Sequence, residues 1–152
     1  MLQVSSTLTL GGLVVAGVFA LGLGLVHLVI PRLLDFPAAI GEDGPDVEPL
    51  RQLTVGRWRY QVRRRDTLGI AWVMSNAASY VLLSIGVVDL AWASGWRGLP
   101  FAGAALWIAG WWAIRAGSQL VVGRRASDLA FAAWFAALAV LHLALGLGWV
   151  AP

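Results

Sequence analysis

Arg115 is the residue hardest to reconcile with its surroundings. It stands in an apolar stretch, about seven residues before the end of that stretch at Val122. A charged group in hydrocarbon is costly, so such residues are functional candidates by default. At about 1.5 Å per helical residue, Arg115 lies roughly 10 Å below the nearer surface. A long side chain at that depth can bend its head toward the lipid headgroups. It can instead meet polar company. Gln119 is one turn away on the same helical face. Asn76, in another apolar stretch, is at matching depth, with Ser75, Ser79 and Tyr80 as neighbours, and His27 is level with Gln119. The spacing thus draws together a candidate ligand pocket of His27, Ser75, Asn76, Tyr80, Arg115 and Gln119. A guanidinium there suits an anion or a carbonyl oxygen, such as a phosphate headgroup, a carboxylate or a quinone. The alternative is a set of hydrogen bonds between helices, each adding about 0.6 kcal/mol.

The second histidine, His142, invites comparison with haem proteins. His27 and His142 lie at different depths, so one haem iron cannot take both. A single axial contact from His27 or His142 to haem or chlorophyll stays open, beside the simpler reading of a neutral core histidine. Asp89 lies near the other end of its stretch, one turn before Trp92, where Arg97 or interfacial water can serve it. Cysteine is absent, which removes disulfides, thiolate nucleophiles and cysteine-bound metals. No paired carboxylates, Ser-His-Asp arrangement, phosphate-binding loop or metal cluster is present in the pattern. No catalytic residue can be assigned, and no metal site or resident cofactor is expected. The balance leans away from an enzyme.

These residues must be positioned by membrane helices. The chain is 59% hydrophobic and only 12% charged, with mean hydropathy +0.77; a soluble domain has about a quarter of its residues charged. Four stretches reach the roughly 20 apolar residues that a bilayer crossing needs. They run over about 8–30, 68–93, 99–122 and 129–150, within a single transmembrane domain of 1–152. The expected fold is all-α, an integral membrane four-helix bundle. The first stretch lacks a basic start and exceeds a signal-peptide core in length, so it reads as a retained helix. Pro31 is expected to end the first helix. Asp66 or Thr67 is expected to cap the second, Gly95, Gly98 and Pro100 to turn into the third, Gly123 to close the third, and Ser127 or Asp128 to cap the fourth.

Arginine placement gives the orientation. The loop over 31–67 holds Arg32, Arg51, Arg57, Arg59, Arg63, Arg64 and Arg65, and the third connection holds Arg124 and Arg125, against Arg97 alone on the other side. Basic loops stay in the cytoplasm. Both termini are therefore expected on the periplasmic or exterior side of a bacterial cytoplasmic membrane. Arg57, Arg59, Arg63, Arg64, Arg65, Arg124 and Arg125 would face anionic headgroups. The pI near 10.6 follows from these arginines and implies no nucleic-acid partner. The segment from Gly41 to Pro49 is acidic and rich in turn formers. The segment from Leu50 to Arg65 reads either as an amphipathic helix in the headgroup layer or as a cytoplasmic extension of the second membrane helix.

Small residues mark expected helix contacts. Gly103, Gly110 and Gly117 share one face of the third span and suggest a central position for it. Of nine tryptophans, Trp92, Trp96, Trp149 and Trp58 sit at expected membrane boundaries, as an interfacial belt does. Trp72, Trp107, Trp111, Trp112 and Trp134 lie deeper.

The run from Gly24 to Pro31, Gly-Leu-Val-His-Leu-Val-Ile-Pro, resembles the first-helix pattern of small bacterial four-helix membrane proteins, including the DoxX-like group. Pro49-Leu-Arg-Gln-Leu, and Trp111 and Trp112 followed by Arg115 and Gln119, resemble further uncharacterised bacterial membrane proteins. The resemblance implies four helices and a bacterial origin, and carries no activity. Two functions remain. One is an accessory or scaffold subunit packed in a larger, bioenergetic membrane complex or a homo-oligomer. The other is a binder or enzyme of a lipid, quinone or other lipophile through the Arg115 pocket.

Overall fold

A computed structural model describes residues 6–41, 47–96, 101–122 and 125–150. The acidic run Glu42–Asp46, the turn residues Arg97, Gly98 and Pro100, and Gly123 with Arg124 lie outside the described residues. The chain is mostly helical. In order it forms α1 (Ser6–Leu33), α2 (Phe36–Ile40), β1 (Arg51–Val55), β2 (Trp58–Val62), α3 (Arg64–Ala93), α4 (Phe101–Val122) and α5 (Ala126–Gly146). Three of these, α1, α3 and α5, are long and apolar enough to cross a membrane. At 22 residues α4 has comparable length, but Arg115, Gln119 and three tryptophans dilute its apolar character.

Burial leaves much of this apolar surface uncovered. In α1 the buried residues are Thr9, Leu13, Ala16, Gly17, Ala20, Gly24 and Pro31, a single stripe at three- and four-residue spacing. Val14, Val15, Val18 and Leu25 point away from the chain. Exposed aliphatic surface on this scale marks contact with membrane or partner.

The chain divides into two compact units, one of Met1–Phe19 with Ile85–Pro152 and one of Ala20–Ser84. In the first, parts of four helices touch. Gly17 lies against Leu90 and the Gly86 carbonyl, where a Cβ would come within 2.9 Å and 3.0 Å. At Gly146 a Cβ would come within 2.7 Å of Leu106 and 3.2 Å of the Ala102 carbonyl. Phe19 meets Trp112, Trp134 and Phe135, and Trp92 packs on Phe101 at 4.5 Å. Trp92 is thus a fully buried core residue rather than part of an interfacial belt. The stripe of Ala105, Ile108, Ala109 and Trp112 faces inward on α4. Gly103, Gly110 and Gly117 are on its opposite face, with no atom within 4 Å of where a Cβ would stand. The glycine row therefore does not make the internal contacts expected of it, because the bulkier stripe claims the core.

Helices α3 and α5 end alike. Gly95 and Gly148 adopt positive φ of 91° and 70°, and the tryptophan after each donates its N–H back, Trp96 to Ala91 and Trp149 to Ala144. This left-handed glycine cap satisfies carbonyls that the helix end leaves open.

The second unit corrects two expectations. First, residues 50–65 form no interfacial helix, and most of the segment is not an extension of α3. They make an antiparallel hairpin with Leu53 opposite Tyr60 and Val55 opposite Trp58. The apolar residues alternate, and a period of two puts them on one face of a strand pair, with Gln52, Thr54, Arg59 and Gln61 on the other. Gly56, at φ 59°, begins the two-residue turn that needs glycine in its first central place. Only Arg64 and Arg65 join α3, which starts earlier than expected because the Asp66 carboxylate accepts the Arg63 N–H at 2.9 Å. Asp128 does the same for the Arg125 N–H at the start of α5.

Second, Pro31 does not end α1, which continues to Leu33. Proline lacks the N–H that would bond the carbonyl four residues back, and that carbonyl belongs to His27. The Ser75 hydroxyl donates to it at 2.7 Å. The orphaned acceptor is thereby satisfied from α3, and the helix carries on through the proline.

Candidate functional site

The most unusual chemistry lies where α3 and α5 meet. The inner stripe of α3 in the first unit is Ile85, Gly86, Asp89 and Trp92. That of α5 is Ala132, Phe135, Leu138, His142 and Leu145. Helical spacing alone carries Asp89 and His142 into the apolar core, and both are fully buried. His142 Nε2 is 3.0 Å from Asp89 Oδ1, and Nδ1 is 2.8 Å from the Leu138 carbonyl oxygen. A carbonyl only accepts, so Nδ1 carries a proton. The Nε2–Oδ1 contact needs one more, shared between the ring and the carboxyl. The pair is therefore net neutral, whichever atom holds that proton. Asp89 Oδ2 is buried without a hydrogen-bond partner. Thr9, on the inner stripe of α1, has a buried hydroxyl that is likewise unpartnered.

Close helix approach seals the pair. Gly17 brings α1 onto α3 beside Leu90, and Gly12 brings it near Leu141, next to the two dyad residues in sequence. Both nitrogens of His142 are engaged, so an axial bond to haem or chlorophyll would require breaking one of these contacts.

Arg115 occupies a second polar spot in the same unit. Its guanidinium carbon is 5.7 Å from the centre of the Phe135 ring. Phe135 stacks on Trp112 at 5.4 Å with 19° between planes, and on Phe131 at 6.0 Å. A cation over an aromatic face gains from the ring quadrupole, and aromatic stacking holds that face still. Arg115 is half-buried, and its Nε has no hydrogen-bond partner. Gln119, one turn on, is half-buried too. Two apolar grooves share Trp134 as a wall. One, of about 440 Å³, is lined by Gly11, Gly12, Val15, Leu138 and Leu141, among others. The other is lined by Phe19, Ser127, Ala130 and Phe131.

The remaining residues of the expected pocket belong to the second unit. Ser75 and His27 are joined through the His27 carbonyl, and Ser79 donates to Ser75 O at 2.8 Å. Asn76 and Tyr80 are on the outer side of α3, Tyr80 being 75% exposed. Among the basic residues, Arg57, Arg59, Arg63 and Arg65 surround the hairpin and the start of α3. Arg64 donates to the Glu48 carbonyl at 3.2 Å. The Tyr60 hydroxyl bonds the Asp66 carboxylate, and this bond holds its pKa above the usual phenol value. No cluster of three or more metal-ligating side chains exists among the described residues.

Sequence reasoning placed Asp89 at the interface and left His142 alone. The available signal was their common depth, each about one turn from the same end of its helix.

Comparison with protein-family models, curated proteins and solved structures returns no match. The class of protein these features define is a mostly helical one with membrane-length apolar helices and a polar pair in its core. No relative lends it a substrate.

Proposed function

We propose that the chain crosses a bacterial cytoplasmic membrane four times, with both termini outside, and serves as an accessory subunit in a larger membrane assembly. The open glycine face of α4 carries this reading. Glycine inside a helix costs about 1 kcal/mol relative to alanine, so three on one face call for a compensating contact. Within lipid, smooth glycine faces pack against other helices, and among the described residues nothing lies within 4 Å of a Cβ placed on this one. The exposed Trp107 beside it adds area for a partner. The hairpin supports the topology. Its apolar face, with Trp58 82% exposed, suits immersion in the headgroup layer, beside arginines that suit anionic lipid.

Gly110→Leu tests the assignment. A Cβ there meets no described atom within 4 Å, so the fold is expected to tolerate the larger side chain. After gentle extraction, mass spectrometry is expected to find a stoichiometric protein partner with the wild type and to lose it with the variant. A wild type that extracts alone, or a variant that keeps the partner, defeats the proposal.

A second reading is favoured by Arg115. A cation held over Phe135 with a free Nε, in a unit that also has two lipid-facing grooves, suits a lipophile with an anionic or carbonyl head. A bound small molecule lost on Arg115→Ala, with protein partners unchanged, would select it.

A further inference from the structure

The buried pair at Asp89 and His142 belongs to neither of these readings. We propose that it is a proton-binding site, in which His142 Nε2 and Asp89 Oδ1 share one exchangeable proton and its occupancy locks α3 to α5. The bonding pattern assigns the atoms. Nδ1 is committed to the Leu138 carbonyl, so Nε2 is the ring atom that gains or loses a proton. With the proton present, the 3.0 Å contact is a hydrogen bond. With it gone, a carboxylate oxygen faces a bare nitrogen lone pair at that distance. Two acceptors then repel, a negative charge is left in the core, and the contact opens. Proton uptake is the gentler direction. The unpartnered Oδ2 can take a second proton while Nε2–H stays bonded to Oδ1.

Access is short on one side. Asp89 is four residues from the end of α3 at Ala93, and His142 four from the end of α5 at Gly146, or about 6 Å at 1.5 Å per residue. The buried hydroxyl of Thr9 is near the start of α1, which runs antiparallel to α5, as the pairs Gly12–Leu141 and Phe19–Phe135 show. It therefore belongs to the same end and offers a polar step inward.

The electrostatic surroundings are sparse. Within this unit α3 brings no other charged group, and the described part of α1 brings none. α4 brings Arg115 alone, which sits on Phe135, seven residues or about 10 Å along α5 from His142. α5 brings Asp128 and its flanking Arg125, both at its far end. Among the described residues no fixed countercharge stands beside the pair, so its own proton sets its charge.

The test is ¹⁵N spectroscopy of the histidine rings in the whole chain in lipid bilayers, between about pH 5 and pH 8, the range in which a histidine environment ordinarily switches. The chain has only two histidines, and His27 serves as the internal control. The expected result is one transition at His142 Nε2 while Nδ1 keeps its proton throughout. Asp89→Asn retains the contact, since its amide can donate to a bare Nε2, and abolishes the transition. A wild-type Nε2 that does not respond overturns the proposal, as does an Asp89→Asn protein with the same transition. Should that variant fail to fold, the wild-type titration decides alone.

Discussion

Replacing Ser75 by alanine removes a bond whose importance is set by a residue elsewhere in the chain. The Ser75 hydroxyl donates to His27 O at 2.7 Å. That carbonyl has no helical N–H because Pro31 stands four residues on. Hydrogen bonds between membrane helices average about 0.6 kcal/mol and reach about 1.7. The upper part of that range is expected here, since Pro31 removes the acceptor's helical N–H in an apolar setting, where unmade bonds are costly. Ser75→Ala is thus expected to destabilise by about 1–1.5 kcal/mol. In a Pro31→Ala background the backbone N–H returns and satisfies His27 O. Ser75→Ala should then cost about 0.5 kcal/mol or less, leaving a coupling of about 1 kcal/mol in the double-mutant cycle. Unfolding in mixed detergent micelles, followed by tryptophan fluorescence, reads all four corners. Equal cost of Ser75→Ala in both backgrounds would refute the reasoning, because the hydroxyl would then not be replacing the missing N–H.

Two further predictions follow from the glycine contacts and the hairpin. Gly17→Ala and Gly146→Ala should each destabilise by about 1–3 kcal/mol through overpacking, since the new Cβ would stand 2.9 Å from Leu90 or 2.7 Å from Leu106; Gly103→Ala, with open space around it, should be neutral or slightly stabilising in the same assay. The phenol of Tyr60 should titrate above free tyrosine, because its bond to Asp66 favours the protonated form. The contribution of that bond to hairpin docking is present at neutral pH and fades as pH rises through the raised value. Ultraviolet titration in a Tyr80→Phe background checks this, and Asp66→Asn should bring the transition back down.

The apolar lengths that make α1, α3 and α5 were legible because hydrocarbon thickness demands them. The starts of α3 and α5 were legible only to within a turn, because Asp66 and Asp128 do not cap from outside but stand three residues in and accept the Arg63 and Arg125 N–H groups. The hairpin is masked in the sequence for a definite reason. Leu53, Val55, Trp58, Tyr60 and Val62 alternate, but the arginines among them resemble those of a membrane-surface helix, and a single Gly56 is a weak turn signal. Pro31 was read by its local effect alone, and the remedy is a hydroxyl 44 positions along the chain.

Sequence alone determined which segments belong in an apolar medium, because hydropathy and span length are local sums that need no partner. It also determined which faces of those segments could touch, because a helix repeats every 3.6 residues. Tertiary structure decided which candidates meet. Asp89 is 53 residues from His142, and only the docking of α3 on α5 makes one proton common to both. Gly103, Gly110 and Gly117 are regular enough to promise a contact, but whether a smooth face turns inward depends on whether a bulkier one fills the core better. Ala105, Ile108 and Trp112 do, so among the described residues the glycines are left without a close neighbour.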